Sequence, residues 1–145
     1  MIRVLLADDH DQVREGLRVL LDGQVDMEVV GEVSNGREAV RQARLLGPHV
    51  VVMDMAMPRL GGIGATARIR VACPATRILV LSMHSTPEHV FRAMNAGASG
   101  YVLKGALGGE VADAIRCVHS GARYLSGKIA ASIVDRYIDE LTRRP

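Results

Sequence analysis

The strongest constraint on this chain is a rhythm. Five short apolar runs recur along it, each followed by a segment with helical periodicity. They are "IRVLLA" (2–7), "MEVVGEV" (27–33), "HVVVMD" (49–54), "RILVLS" (77–82) and "GYVLK" (100–104). Short, β-branched and nearly continuous in hydrophobicity, they read as strands covered on both faces, which is how parallel strands read.

The intervening segments carry stripes of helical spacing. Val13, Leu17, Leu20 and Leu21 form one that ends near Gly23, and residues 36–46 form another that stops at Gly47-Pro48. Pro87 suits a first helical position and Gly97 the matching end. Leu107, Val111, Ala114, Ile115 and Val118 make a further stripe, closed by Gly121. Strand–helix alternation of this kind predicts right-handed crossovers and an α/β fold, a doubly wound five-stranded parallel sheet. Residues 127–143 add one more amphipathic helix, with Ile129, Ile133, Val134, Tyr137, Ile138 and Leu141 on its apolar face. A helix of that length is marginal alone, so its own domain, a second copy or a downstream domain must cover that face.

Composition narrows the possibilities. Of 145 residues 48% are hydrophobic, which excludes a disordered chain. One Phe and no Trp leave an aliphatic core and no stacking platform for single-stranded nucleic acid. The net charge of +2 is uneven: residues 1–40 hold nine acids against four bases, and the remainder seven against fourteen. That imbalance points to a localised acidic site. Cys73 and Cys117 fit neither a disulfide scaffold nor a zinc site and are expected as buried free thiols. With no signal peptide and no apolar run of about 18 residues, a soluble cytoplasmic protein without membrane contact is expected.

In sheets of this kind ligands bind at the carboxyl ends of the strands. Asp8 and Asp9 end the first run, Asp54 the third and Ser82 the fourth, and Lys104 closes the fifth. Three carboxylates without paired His or Cys suit a hard cation, Mg²⁺ or Mn²⁺. A lysine and a hydroxyl opposite them complement a phosphoryl group, and aspartate is an established phosphoryl nucleophile. An aspartyl-phosphate phosphohydrolase shares this logic but needs specificity elements for which the short links leave little room. A nucleotide or flavin module would place a phosphate loop after the first strand, where "DDHD" repels phosphate.

The motifs "DD" (8–9), "MDMAMP" (53–58), "LVLSMH" (79–84) and "YVLK" (101–104) resemble the signature of two-component response-regulator receiver domains, which have the flavodoxin-like fold. "ADDHDQVREGLRVLL", "VVGEVSNGREAV", "AGASGYVLK" and "GARYLS" are similar to the NarL/FixJ subfamily, transcription factors with a LuxR-type helix-turn-helix after the receiver. The resemblance implies a receiver over residues 1–125 and a C-terminal helix or linker over 126–145. It implies Asp54 as phosphoacceptor, served by a sensor histidine kinase, and Mg²⁺ held by Asp8, Asp9, Asp54 and the backbone carbonyl of Ala56. It implies that Lys104 and Ser82 contact the phosphoryl group and that Tyr101 is the aromatic switch, its ring turning inward on activation. His84 is placed to tune acyl-phosphate hydrolysis. Such a module is not an enzyme beyond its own phosphorylation and dephosphorylation.

His10 stands beside the acidic pair as a candidate ligand but is expected as an exposed or capping residue, a bystander, and Asp11 as the cap of the first helix. The chain departs from the family at Arg59, Gly61 and Gly105, and Gly62 and Gly64 weaken the start of the third helix, predicting a mobile loop there. Residues 127–145 are too few for a helix-turn-helix, so the chain is expected as a piece of a longer regulator or as a stand-alone receiver. It should not bind DNA specifically alone. A homodimer through residues 85–103 or the 127–143 helix is expected.

Overall fold

A computed structural model describes residues 1–106 and 109–143 of the chain, with nothing described of the Ala106 side chain. Strands β1 (Ile2–Ala7), β2 (Met27–Val33), β3 (Val50–Asp54), β4 (Arg77–Ser82) and β5 (Gly100–Leu103) form where the apolar runs place them. They alternate with helices α1 (Asp11–Asp22), α2 (Gly36–Leu46), α3 (Gly62–Ala72), α4 (Pro87–Asn95) and α5 (Gly109–His119). A short strand β6 (Tyr124–Leu125) and helix α6 (Gly127–Thr142) follow. The sheet order is β2-β1-β3-β4-β5-β6, and every pairing is parallel.

The sheet thus has six strands where five were expected. β6 is two residues long and pairs Gly100 with Tyr124 and Tyr101 with Leu125. Two residues carry no readable periodicity, so this edge arises from backbone pairing alone.

Period-two alternation splits the core. Val4, Leu6, Val50, Val52, Leu79, Leu81 and Val102 point to one face, beneath Leu17 and Leu21 of α1 and Val111, Ile115 and Val118 of α5. Leu5, Val51, Met53, Ile78, Val80 and Tyr101 point to the other, beneath α2, α3 and α4. Each fully buried Val, Leu or Ile contributes about 1.5–3 kcal/mol, so the two layers supply most of the driving force. Leu107, expected in the α5 stripe, lies outside the described residues.

Helix ends follow local chemistry. Asn35 caps α2 by accepting the Glu38 N–H at 2.9 Å, and Pro87 opens α4. Gly97, with φ +112°, follows that helix. Two sequence expectations need correction. Asp11 does not cap α1: Asp8 Oδ1 takes the His10 N–H at 2.8 Å, which turns the chain early and leaves His10 in the capping position without a side-chain bond. Asp11 is instead the first helical residue and pairs with Arg14 at 2.9 Å. Cys73 and Cys117 are free thiols as expected, but only half-buried. Both sit at or near the ends of helices, where packing is incomplete.

α6 is covered only at its start. Ile129 is buried and Ile133 partly so against the α4 face of the core, while Val134, Tyr137, Ile138 and Leu141 remain exposed. Arg136 bridges back to Glu88 of α4. Among the described residues no helix is long and apolar enough to cross a membrane.

Close backbone approaches govern the loop after β3. A Cβ on Gly36 would meet the Leu60 carbonyl oxygen at 2.0 Å, and one on Gly62 the Asp54 carbonyl oxygen at 2.2 Å. Arg59 and Leu60 have φ of +51° and +91°, a left-handed geometry costing roughly 1–2 kcal/mol per non-glycine residue. Arg59→Gly is therefore expected to stabilise the fold by about 1 kcal/mol, and Gly36→Ala to destabilise it by about 1–3 kcal/mol. Urea unfolding midpoints check both, and an unchanged midpoint for Gly36→Ala would contradict the close approach.

Candidate functional site

Neighbouring strands bring the predicted residues together at their carboxyl ends. Asp8 follows β1, Asp54 ends β3, Ser82 ends β4 and Lys104 follows β5. Asp8 and Asp54 are 1% and 2% exposed, and Lys104 is 7% exposed. Lys104 Nζ lies 3.1 Å from the Oδ2 atoms of both carboxylates. Asp9 is more open, at 33% side-chain exposure, and faces the same space.

One ammonium does not satisfy two buried carboxylates. Asp8 Oδ2 and Asp54 Oδ2 have ion-pair contact with Lys104 but no hydrogen bond of good geometry. Burial first, and then the Asp8 charge, push the Asp54 carboxyl up to about 6, while Lys104 and the Ala56 N–H pull the other way. Ala56 N–H donates to Asp54 Oδ1 at 3.2 Å.

Orphaned buried oxygens beside a half-open carboxylate are the donor set that a hard divalent cation needs. Oxygens of Asp8, Asp9 and Asp54 and a nitrogen of His10 all lie within 4.8 Å of one another. The residues present therefore fit a Mg²⁺-class ion.

Ser82, Tyr101 and His84 line the rim. Ser82 is buried; its hydroxyl accepts the His84 N–H at 3.0 Å and contacts Met55 Sδ at 3.6 Å. Tyr101 is fully buried, and its hydroxyl donates to the His84 carbonyl at 2.8 Å. Burial raises the Tyr101 phenol above its ordinary value. The His84 ring stacks on His89 with centroids 4.1 Å apart.

Two residues have a larger part here than the sequence suggested. His10 is exposed, as expected, and its Nδ1 lies 3.1 Å from Asp8 and 3.3 Å from Asp9, so it borders the site. Arg14 donates to the Asp8 carbonyl at 2.7 Å and reaches Glu32 of β2 at 3.3 Å, fixing the backbone behind the carboxylates. The visible signal for Arg14 was its place one turn into the helix that follows the acidic cluster.

A parallel α/β sheet with buried carboxylates and a lysine converging at its carboxyl edge defines a phosphoryl-accepting switch module. A family model described as "Response regulator receiver domain" matches residues 4–116. The chain is 42% identical over 146 residues to response regulator UvrY of Escherichia coli K12, covering all of this chain and 67% of the relative. It is 43% identical over 136 residues to transcriptional regulatory protein LiaR of Bacillus subtilis, covering 94% of this chain and 64% of the relative. The crystal structure of a LuxR-family two-component response regulator from Aurantimonas sp. SI85-9A1 superimposes with a TM-score of 0.90 at 40% identity, covering 94% of this chain and 97% of that one. This chain belongs to the response-regulator receiver family, and its function is phosphorylation-switched signalling. It spans about two thirds of the length of these curated relatives.

The raised Asp54 value has a consequence for stability with a defined sign. Its folded value of about 6 lies above the ordinary 3.8, so the folded state holds the proton more tightly. Stability is then lost as pH rises from about 4 through about 6. In EDTA at pH 7.5, Asp54→Asn is expected to be more stable than the parent by about 3 kcal/mol. That gain should vanish near pH 4. Thermal melting across this range is the check, and a gain that does not change with pH would contradict the buried charge.

Proposed function

We propose that Asp54 accepts a phosphoryl group from the phosphohistidine of a sensor kinase. A carboxylate oxygen of Asp54 bonds to phosphorus as the phosphorus–nitrogen bond breaks, and the histidine leaves with the electron pair and takes up a proton. The observation that carries this reading is the pair of buried carboxylates at the ends of adjoining strands, sharing one buried lysine.

Asp8, Asp9, Asp54 and the Ala56 carbonyl would hold Mg²⁺, with Mn²⁺ as a substitute. When bound, the ion neutralises phosphoryl oxygens. Lys104 then turns from the carboxylates to the phosphoryl oxygens, and Ser82 donates its hydroxyl to one of them. Ser82 adjoins the Tyr101–His84 contact, accepting the His84 N–H, and through that contact the modification state reaches the surface of residues 85–103. His84, two residues beyond Ser82, governs access of water to the acyl phosphate. The chain acts on no substrate other than its own Asp54.

Residues 1–125 form the switch, and 126–145 the helix that leads to the output. That output is transcription, carried by a DNA-binding segment outside these 145 residues. Support comes from the resemblance to LiaR, described as a transcriptional regulator. The acids of α6, Asp135, Asp139 and Glu140, disfavour DNA binding by this chain alone. A second copy joins through residues 85–103 or α6, where apolar side chains stand exposed. The setting is the cytoplasm.

With Mg²⁺ and acetyl phosphate, intact-mass measurement should find one phosphoryl adduct per chain, stable in acid and labile in base. Asp54→Asn should abolish it, and Lys104→Ala should slow its formation by about 10²-fold. Multiple turnover on small phosphate esters, with Asp54→Asn only slowed, would replace this reading with a phosphohydrolase.

A further inference from the structure

His10 belongs to the acidic cluster, yet nothing in the phosphoryl reading uses it. Its Nδ1 lies 3.1 Å from Asp8 Oδ1, 3.3 Å from Asp9 Oδ1 and 3.8 Å from Asp54 Oδ2. An octahedral ion with bonds of about 2.1 Å sets cis ligands about 3.0 Å apart and trans ligands about 4.2 Å apart. The first two spacings lie near the cis value and the third lies between cis and trans. Two of the same carboxylates also present buried oxygens that lack hydrogen bonds, Asp8 Oδ2 and Asp54 Oδ2.

The ring nitrogen lies among groups of both signs: Lys104 Nζ and Asp8 Oδ1 each sit 3.1 Å from His10 Nδ1. Coordination at Nδ1 takes its lone pair, with the proton on Nε2. A cation, the Lys104 ammonium, already stands beside the nitrogen that would ligate one. The ring is 61% exposed and caps nothing, so little holds it back from adjusting.

We propose that His10 Nδ1 is a direct ligand of the divalent cation held by Asp8, Asp9 and Asp54. The site is then a mixed nitrogen–oxygen one that favours Mn²⁺ and Co²⁺ over Mg²⁺. Imidazole suits first-row transition ions, whereas Mg²⁺ takes oxygen and keeps its water. The inference rests on the metal reading given under the proposed function.

The test uses the whole chain, labelled with ¹⁵N in histidine and loaded with Mn²⁺, and reads electron spin-echo modulation from ligand nitrogen. Histidine nitrogen coupling is expected in the parent and in His84→Gln, and is expected to be absent from His10→Gln. In parallel titrations His10→Gln should lose at least about tenfold in Mn²⁺ affinity and change less than about twofold for Mg²⁺. Mn²⁺ bound without histidine coupling, or coupling that survives His10→Gln, overturns the nitrogen ligand and leaves the oxygen site standing. Failure of the parent to bind either ion overturns both.

Discussion

The contact of Lys104 with two buried carboxylates is the constraint around which the rest of the site is arranged. Removing like charges from water is costly, and putting them side by side adds repulsion. The parallel sheet makes that juxtaposition unavoidable, because β1 and β3 are neighbours and end at the same edge. Lys104 comes from β5, on the far side of β4, so its long side chain must cross above Ser82 to reach Asp8 and Asp54. This crossing brings all four residues into one cluster. A single ammonium leaves the cluster with excess negative charge, and burial together with the Asp8 charge raises the Asp54 carboxyl. The site is folded in a state that still favours another cation.

The loop after β3 shows how strain is held beside Asp54. Arg59 and Leu60 both adopt left-handed backbone geometry. Neighbouring contacts over-determine the shape: Arg37 N–H donates to the Arg59 carbonyl at 3.3 Å and Gly62 N–H to that of Met55 at 2.9 Å. Gly36 lets the Leu60 backbone press against α2. The sequence suggested mobility here from its glycines, whereas the structure ties the loop to α2 and to the residue after Asp54. Close approach accounts for Gly62, and it also explains why a helix begins at so poor a helix former.

Much of this was legible in the sequence because the signals were long. Strands buried on both faces write continuous apolar runs, and the strand ends named Asp8, Asp54, Ser82 and Lys104 before any coordinates. The misses were short-range. β6 is two residues of backbone pairing, too brief for periodicity. The cap of α1 depended on where the Asp8 side chain turned, and a run of "DDHD" offers several competing acceptors. His10 follows the acidic pair directly in the sequence, so its place at the edge of the site was legible, while its exposure left its part there open. α6 reads as one apolar face, but only Ile129 and Ile133 find a core to join.

Tyr101 carries the structural link between the site and the end of the chain. Its hydroxyl holds the His84 carbonyl, two residues past Ser82, and its own carbonyl accepts the Ser126 N–H at 3.2 Å, just before α6. One residue on β5 thus bridges the β4–α4 loop and the start of the last helix. The ring is buried against the core that also seats Ile129. Rotating it outward gives up about 2 kcal/mol of burial and about 1 kcal/mol of hydrogen bonding. A single charge-assisted hydrogen bond at Ser82 contributes about 1.5–3 kcal/mol. The two quantities are of the same size, so one charge-assisted hydrogen bond gained or lost at Ser82 is sufficient to shift the balance of the Tyr101 contact.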